Sequence, residues 1–281
     1  MGFGLFPNQF PIYTILNIKN LNKFKQQGKN LSFYLLASIF TSLIGVLINP
    51  FMAANLSPDD YAILGYFTSF NLLVTPIINF SLISYYSKNY FLIQEGERQR
   101  VVDTLIIAQL LIGFILLFVV LTAFFVYMKI AEVSFQFFPY ALLTFLPLFF
   151  NCFYSLYLVD LRMKREARKF FNIVLINGIV GAAVAILFVV VLKGGATGRL
   201  FATFLTAIPF SFFAVRKLFG SLRFDIHIVK QAISFGWPIS LSAILMYFFT
   251  GIDRAFLERL GDSYTLGIYN VAAQLTGYLY I

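Results

Sequence analysis

The chain has 281 residues, 60% of them hydrophobic and only 12% charged, with mean hydropathy +0.83 and a formal net charge of +9. A soluble domain carries roughly twice that charged fraction, so this material cannot build a water-facing shell and the bilayer has to be its solvent. One cysteine, Cys152, and one histidine, His227, exclude a disulfide framework and any metal site built from several Cys or His ligands.

Residues 1–30 open with MGFGLFPNQFPIYTILNIKN, which has no basic stretch ahead of its apolar one, so a cleaved signal peptide fits poorly. We assign them to a cytoplasmic N-terminal segment, either a short interfacial helix or the product of an upstream-extended start. Apolar runs near the ~20 residues needed to cross the hydrocarbon then follow at 31–54, 62–86, 103–128, 137–160, 171–192, 199–215, 232–252 and 266–281. Pro50, Pro76, Pro139, Pro147, Pro209 and Pro238 fall inside these runs, which membrane helices tolerate when neighbours satisfy the freed carbonyls. The connections are short, so no extramembrane domain is expected. The eighth run begins near Leu266 and the sequence stops at Ile281, which reads as a chain cut inside a helix.

Charge orients the bundle. Lys19, Lys23, Lys25 and Lys29 precede the first span; Lys88, Arg98 and Arg100 follow the second. Arg162, Lys164, Arg165, Arg168 and Lys169 follow the fourth, and Arg216, Lys217, Arg223 and Lys230 the sixth. Sixteen of the 21 basic residues thus share one side, against Lys129, Lys193, Arg199, Arg254 and Arg259 on the other. The positive-inside rule makes the N-terminus cytoplasmic. Basic residues spread over four short loops are not the single patch that a nucleic-acid partner requires, and none is expected.

Two stretches echo each other. LSFYLLASIF from Leu31 aligns with ISFGWPISLS from Ile233, an offset of 202; Gly65 matches Gly267 at the same offset and Tyr61 matches Tyr264 one residue further on. Six helices separate the two starts, so the first and seventh begin on the same side, as a parallel repeat requires. The expected organisation is a six-helix lobe over 31–231 and the start of a second lobe over 232–281, with a pathway between lobes and alternating access. Polar residues at three-to-four spacing mark helix faces that turn toward protein or water rather than acyl chains. They are Ser38, Thr41, Ser42 and Asn49 on the first helix, and Thr68, Asn71, Thr75 and Asn79 on the second. The seventh carries Ser240 and Tyr247, and the eighth Asn270 and Gln274. Each stripe taken alone is equally explained as helix–helix glue; their recurrence on repeat-related helices favours a cavity. The fifth span, with Gly178, Gly181, Ala182 and Ala185, reads as a small-residue packing seam.

At this point the chain resembles a known family. LSPDDYAILGYFTSF, LRMKREARKFFNIVLINGIVG, GGATGRLFATFL and ISFGWPISLSAILMYFFTGIDRAFLERLGDSYTLGIYNVAAQL are together similar to segments of O-antigen and polysaccharide flippases of the multidrug/oligosaccharidyl-lipid/polysaccharide (MOP) superfamily. The resemblance covers roughly residues 28–281. It implies an all-α, polytopic, MATE-like two-lobed bundle of fourteen helices, of which this chain supplies about eight, with helices one, two, seven and eight lining a central cavity. It implies a bacterial inner-membrane exporter of a lipid-linked, polyprenyl-diphosphate oligosaccharide, with other polysaccharide-assembly proteins as partners. Such transport needs no covalent step, and the sequence offers no nucleophile–base constellation or phosphate loop. Neither enzyme activity, cofactor nor metal is expected.

Asp253, Arg254 and Arg199 are the candidates for a gate or headgroup contact. From Phe235 to Asp253 a helix rises about 27 Å, which puts Asp253–Arg254 near the far edge of a core roughly 30 Å thick. Arg254 precedes Glu258 by four residues, so a helical ion pair is the plainer reading. Arg199 could meet a phosphate or snorkel to the interface. Asp103 and Asp160 should pair locally with basic loops, and His227 should be solvated. No charged residue lies within helices one, two, seven or eight, which disfavours both a lipid II flippase and a carboxylate-based drug exporter. A multidrug exporter and an integral-membrane glycan polymerase or ligase remain the alternatives; the latter would need a large external catalytic loop.

Overall fold

The computed structural model describes residues 18–279, all helix and turn with no strand among them. The helices are α1 (Ile18–Asn55), α2 (Pro58–Ser69), α3 (Asn71–Asn79), α4 (Leu82–Asn89), α5 (Glu95–Ile130), α6 (Tyr140–Met163), α7 (Ala167–Ile186), α8 (Gly195–Leu218), α9 (Ile226–Thr250), α10 (Asp253–Leu260) and α11 (Ser263–Leu279). Seven segments of the described residues are long and apolar enough to cross a membrane: 30–55, 58–79, 95–130, 140–163, 167–191, 195–218 and 226–250. The eighth expected run falls on α11, a shorter helix of 17 residues that is not among these seven. The chain is a multi-pass membrane protein. The expectation for residues 1–17 lies outside the described residues; from Ile18 onward the segment set apart as 1–30 is already helical and runs without a break into the first span.

Turn-to-turn contacts define two ends. At the end where α1 begins, Asn30 donates to the Arg165 carbonyl, the Tyr85 hydroxyl donates to Gln231, and Arg100 pairs with Asp225 at 3.0 Å. This basic end also carries the starts of α5, α7 and α9. At the opposite end Ser134 bonds Glu258, and Asp60 bonds the start of α8. The first span, from Asn30, and α9 therefore begin at the same end.

The turns leading to the matched Gly65 and Gly267 are helix starts. In LSPDD, the Ser57 hydroxyl oxygen accepts from Asp60 N–H at 3.1 Å, while the Asp60 carboxylate accepts from Ser57 N–H at 2.9 Å; Pro58 fills the first helical position. This reciprocal box satisfies donors that helical bonding leaves orphaned, and losing such a cap costs about 1 kcal/mol. In GDSYT, Asp262 accepts from Thr265 N–H at 2.7 Å and starts α11 in the same way. The other oxygen of Asp60 accepts from Ala196 N–H at 2.7 Å, so one carboxylate also ties α2 to the start of α8.

The second span is not the continuous 62–86 helix that hydropathy suggests. It breaks between α3 and α4, where Phe80 and Ser81 adopt left-handed backbone at φ 45° and 47°. Three neighbours compensate the break. Gln109 of α5 donates to the Ile78 carbonyl at 3.1 Å, and the Cys152 thiol of α6 donates to the Asn79 side chain. Ser240 of α9 bonds Ser81 at 2.9 Å. Gly236 allows the α9 backbone to reach the Phe80 carbonyl, where a Cβ would collide. Such sharing is how a membrane helix survives interruption. Pro139 sits just ahead of α6 rather than inside it, whereas Pro50, Pro76, Pro147, Pro209 and Pro238 are interior.

The apolar core lies among α2–α6 and α9, packed around Tyr66, Phe67, Phe70, Phe124 and Phe145 with edge-on ring contacts such as Phe70–Phe124 at 4.8 Å. The α7 seam is used as expected: Ile44 of α1 approaches Gly178, and Thr206 of α8 approaches Gly181. α1 otherwise turns Leu31, Leu35, Leu43 and Leu47 outward.

Candidate functional site

A cavity of about 220 Å³ opens between α1, α2, α8 and α11. Gly45, Ile48, Asn49 and Met52 line it from α1; Tyr61, Leu64 and Thr68 from α2; Arg199, Leu200 and Thr203 from α8; and Gln274 from α11. Its position follows from local chemistry. The Asp60 staple holds the starts of α2 and α8 side by side, so Arg199, one turn into α8, faces the second half of α2. Thr203 is one turn further on and bonds back to the Arg199 carbonyl at 3.2 Å. Thr68 does the same to Leu64 at 2.5 Å, so its hydroxyl hydrogen is committed and its lone pairs remain to accept. The polar lining is amide, hydroxyl and one guanidinium, with no carboxylate among the lining residues.

Four sequence-selected residues thus converge: Asn49, Thr68, Arg199 and Gln274. The remainder go elsewhere. Asn270 is buried and donates to the Tyr61 carbonyl at 3.1 Å, against Gly65. Ser240 is held by Ser81, Asn79 by Cys152, and Tyr247 is buried against Phe70 at 5.5 Å between ring centres. These four join helices. Ser38 and Thr41 bond back to Tyr34 and Ala37 on an exposed face of α1; Ser42, Asn71 and Thr75 are half-buried away from the cavity. The seventh span, α9, gives no lining residue, and the sixth, α8, takes its place. Neither Tyr61 nor Thr203 is among the lining residues expected from the sequence. Thr203 had a legible signal, lying four residues after Arg199 on the same helix face.

Asp253 and Arg254 stand apart from the cavity, in a latch that ties α9, α10 and α11. Asp253 accepts from Arg254 N–H at 2.9 Å and from the Tyr269 hydroxyl; Arg254 donates to the Thr250 carbonyl at 3.3 Å and lies 5.7 Å from the Tyr269 ring centre. The expected Arg254–Glu258 pair does not form. α9 ends at Thr250 and α10 restarts at Asp253, which turns Arg254 back toward α9, while Glu258 is captured by Ser134 through N–H at 2.9 Å and hydroxyl at 2.7 Å. Asp160 does pair locally, with Lys164 at 2.7 Å and the Tyr86 hydroxyl at 2.7 Å. Asp103 departs from expectation. It is fully buried and is satisfied by backbone and neutral side chains, Gly220 N–H, Ser221 N–H and hydroxyl, and the Gln99 amide, rather than by a basic loop residue. His227 is exposed at the start of α9.

The fold is that of MATE transporters. An inward-facing multidrug resistance MATE family transporter of the MOP superfamily superposes with TM-score 0.59 at 16% identity, covering 84% of this chain and 58% of that one. A MATE protein in complex with MaD3S gives 0.62 at 17%, covering 89% and 65%. An outward-facing MATE of the same superfamily gives 0.57 at 18%, covering 89% and 64%. The chain therefore spans about six-tenths of the length of these transporters. No curated protein matches it in sequence. Residues 27–280 match the polysaccharide biosynthesis protein family, and the chain belongs to that family.

Proposed function

We propose that the chain serves the translocation of a lipid-linked, polyprenyl-diphosphate oligosaccharide across the cytoplasmic membrane by alternating access, without a covalent step. The observation that carries this reading is the mixed lining of the α1–α2–α8–α11 cavity in a chain of the polysaccharide biosynthesis family. Asn49, Thr68, Thr203 and Gln274 offer the amide and hydroxyl partners that replace water around sugar hydroxyls, and Arg199 supplies the cation a diphosphate calls for. At about 220 Å³ the space is below the roughly 300 Å³ of a small-ligand pocket. It suits one sugar ring or phosphate group and is a subsite of a longer path. A cationic drug would be served by a carboxylate, and this lining has none.

In this reading residues 31–231 form a first lobe, 232–281 open a second, and the basic end faces the cytoplasm. Asn79, Ser240, Tyr247 and Asn270 keep helices in register for transport rather than touch substrate. The test is deletion of the gene and complementation in the source bacterium. Loss of surface glycan with accumulation of lipid-linked oligosaccharide, and unchanged tolerance of cationic dyes, is the expected outcome. Intact surface glycan with heightened dye sensitivity would replace the glycan reading with drug export.

A further inference from the structure

At the basic end, three basic residues meet one cavity of about 340 Å³: Arg98 from α5, Lys164 from the turn that ends α6 and Lys217 from α8. Tyr86 and Tyr90 of α4, Gln99 of α5 and the carboxylates Glu95 and Asp160 complete its polar lining. Three cations against two carboxylates leave one positive charge. The carboxylates are unequal. Asp160 is buried and engaged, with one oxygen taking the Tyr86 hydroxyl and the other the Lys164 ammonium, each at 2.7 Å. Glu95 has a side chain 91% exposed, 3.4 Å from Arg98, and such surface pairs hold weakly. Arg98 is fixed by donating Nε to the Tyr90 carbonyl at 3.2 Å and by lying 4.3 Å from that ring's centre. Lys217 meets no carboxylate within 4.0 Å among the described residues; its ammonium lies 5.7 Å from the Phe213 ring centre.

Beside the lining residue Tyr90, the neighbouring surface forms an apolar, exposed rim. Tyr90 packs against Phe91 at 5.1 Å, and Phe91 and Leu92 are 66% and 80% exposed in the turn that enters α5. Free phosphate gains nothing from such a rim, whereas the glycerol and acyl carbons of a phospholipid do. Basic pockets between membrane helices hold anionic headgroups for this reason. We infer that this cavity binds the phosphodiester headgroup of an anionic membrane phospholipid, with Arg98 and Lys217 as its principal contacts and Phe91 and Leu92 against its chains. The single excess charge matches a single phosphodiester. The inference is independent of the substrate proposed above.

The test uses the purified full chain, delipidated in neutral detergent and titrated with phosphatidylglycerol or phosphatidylcholine by native mass spectrometry. Phosphatidylglycerol should bind in preference, and Lys217→Gln and Arg98→Gln should each weaken it about fivefold. Arg168→Gln, which removes an exposed charge at the same end but outside the cavity, should change it less than twofold. Equal loss in all three variants, or no preference over phosphatidylcholine, overturns the proposal. So does displacement by glycerol phosphate or inorganic phosphate at concentrations matching the lipid, which would assign the cavity to a soluble phosphate. Lys217 is exposed, so its variant folds without repacking; Arg98→Lys, keeping the charge, should restore binding to within twofold.

Discussion

Asp103→Ala should free the 219–225 connection between α8 and α9 without unfolding the bundle. The carboxylate has no exposed surface, and it receives Gly220 N–H at 2.8 Å and Ser221 N–H at 3.2 Å. Hydrogen bonds to a charged acceptor contribute roughly 1.5–3 kcal/mol each. Gly220 is exposed and Ser221 half-exposed, so water recovers part of the loss and the lower figure applies, about 3 kcal/mol for the two. At 1.4 kcal/mol per decade, the amides of Gly220 and Ser221 should exchange with deuterium about 100-fold faster. Asp103→Asn, which keeps one carbonyl acceptor, should give about tenfold. The rest of the connection stays pinned by Gln99 to the Leu218 carbonyl at 2.7 Å and by the Arg100–Asp225 pair at 3.0 Å. The assay is hydrogen–deuterium exchange on the full chain in nanodiscs. Exchange at 220–221 within threefold of wild type would refute the reasoning, as would acceleration spread along α5 and α6, which signals unfolding rather than local release.

Three further outcomes follow from the same contacts. Gly267→Val places a branched side chain against the Pro58 backbone, and overpacking of about 1–3 kcal/mol should lower the melting temperature by several degrees in a thermal-shift assay, with Gly267→Ala intermediate. Arg199→Gln should cut glycan export in the complementation assay about tenfold at equal membrane abundance, while Ser38→Ala, on the exposed face of α1, should leave it unchanged. Asp262 is held below the ordinary Asp value by the hydroxyl and N–H of Thr265. A carboxyl depressed in the folded state contributes stability that is complete above its unfolded value and is lost as pH falls through the folded one. Protection of the Thr265 amide should therefore collapse on acidification into the range below the ordinary Asp value, and Asp262→Asn should remove that pH dependence.

Seven of the eight expected membrane rods, and their order, were legible in the sequence because a bilayer demands long apolar runs and short basic turns, and both are written locally. The break at Phe80–Ser81 was not. NFSLIS contains neither Gly nor Pro, and the left-handed backbone there is maintained by Gln109, Cys152 and Ser240, which lie 30 to 160 positions away in sequence. The polar faces were legible as faces, but spacing along one helix cannot say which polar residue meets a neighbouring helix. Asn270 and Gln274 share one face of α11, yet Asn270 is consumed by the Tyr61 carbonyl and Gln274 reaches the cavity. Arg254 shows the same limit. Its spacing to Glu258 promised a pair, and a chain restart at Asp253 together with a rival donor at Ser134 redirected both partners.

The walls of the cavity are not equally firm, and this bears on how a glycan larger than 220 Å³ could pass. α2 is tied to α8 by the Asp60–Ala196 bond and to α11 by Asn270–Tyr61, with Gly65 and Gly267 permitting close approach. Separating these helices breaks one buried and one part-buried polar bond, expensive where water cannot replace them. α1 is different. It packs along α7 through Phe33, Tyr34, Phe40 and Ile44, only 6% of its apolar stretch is buried, and the Ser38 and Thr41 hydroxyls bond back within the helix. Pro50, beside the lining residue Asn49, removes one backbone donor at the level of the cavity. Displacing α1 from the cavity exchanges protein–carbon contacts for lipid–carbon contacts, which are nearly equivalent. Of the four walls, α1 is therefore the one that can move at least cost.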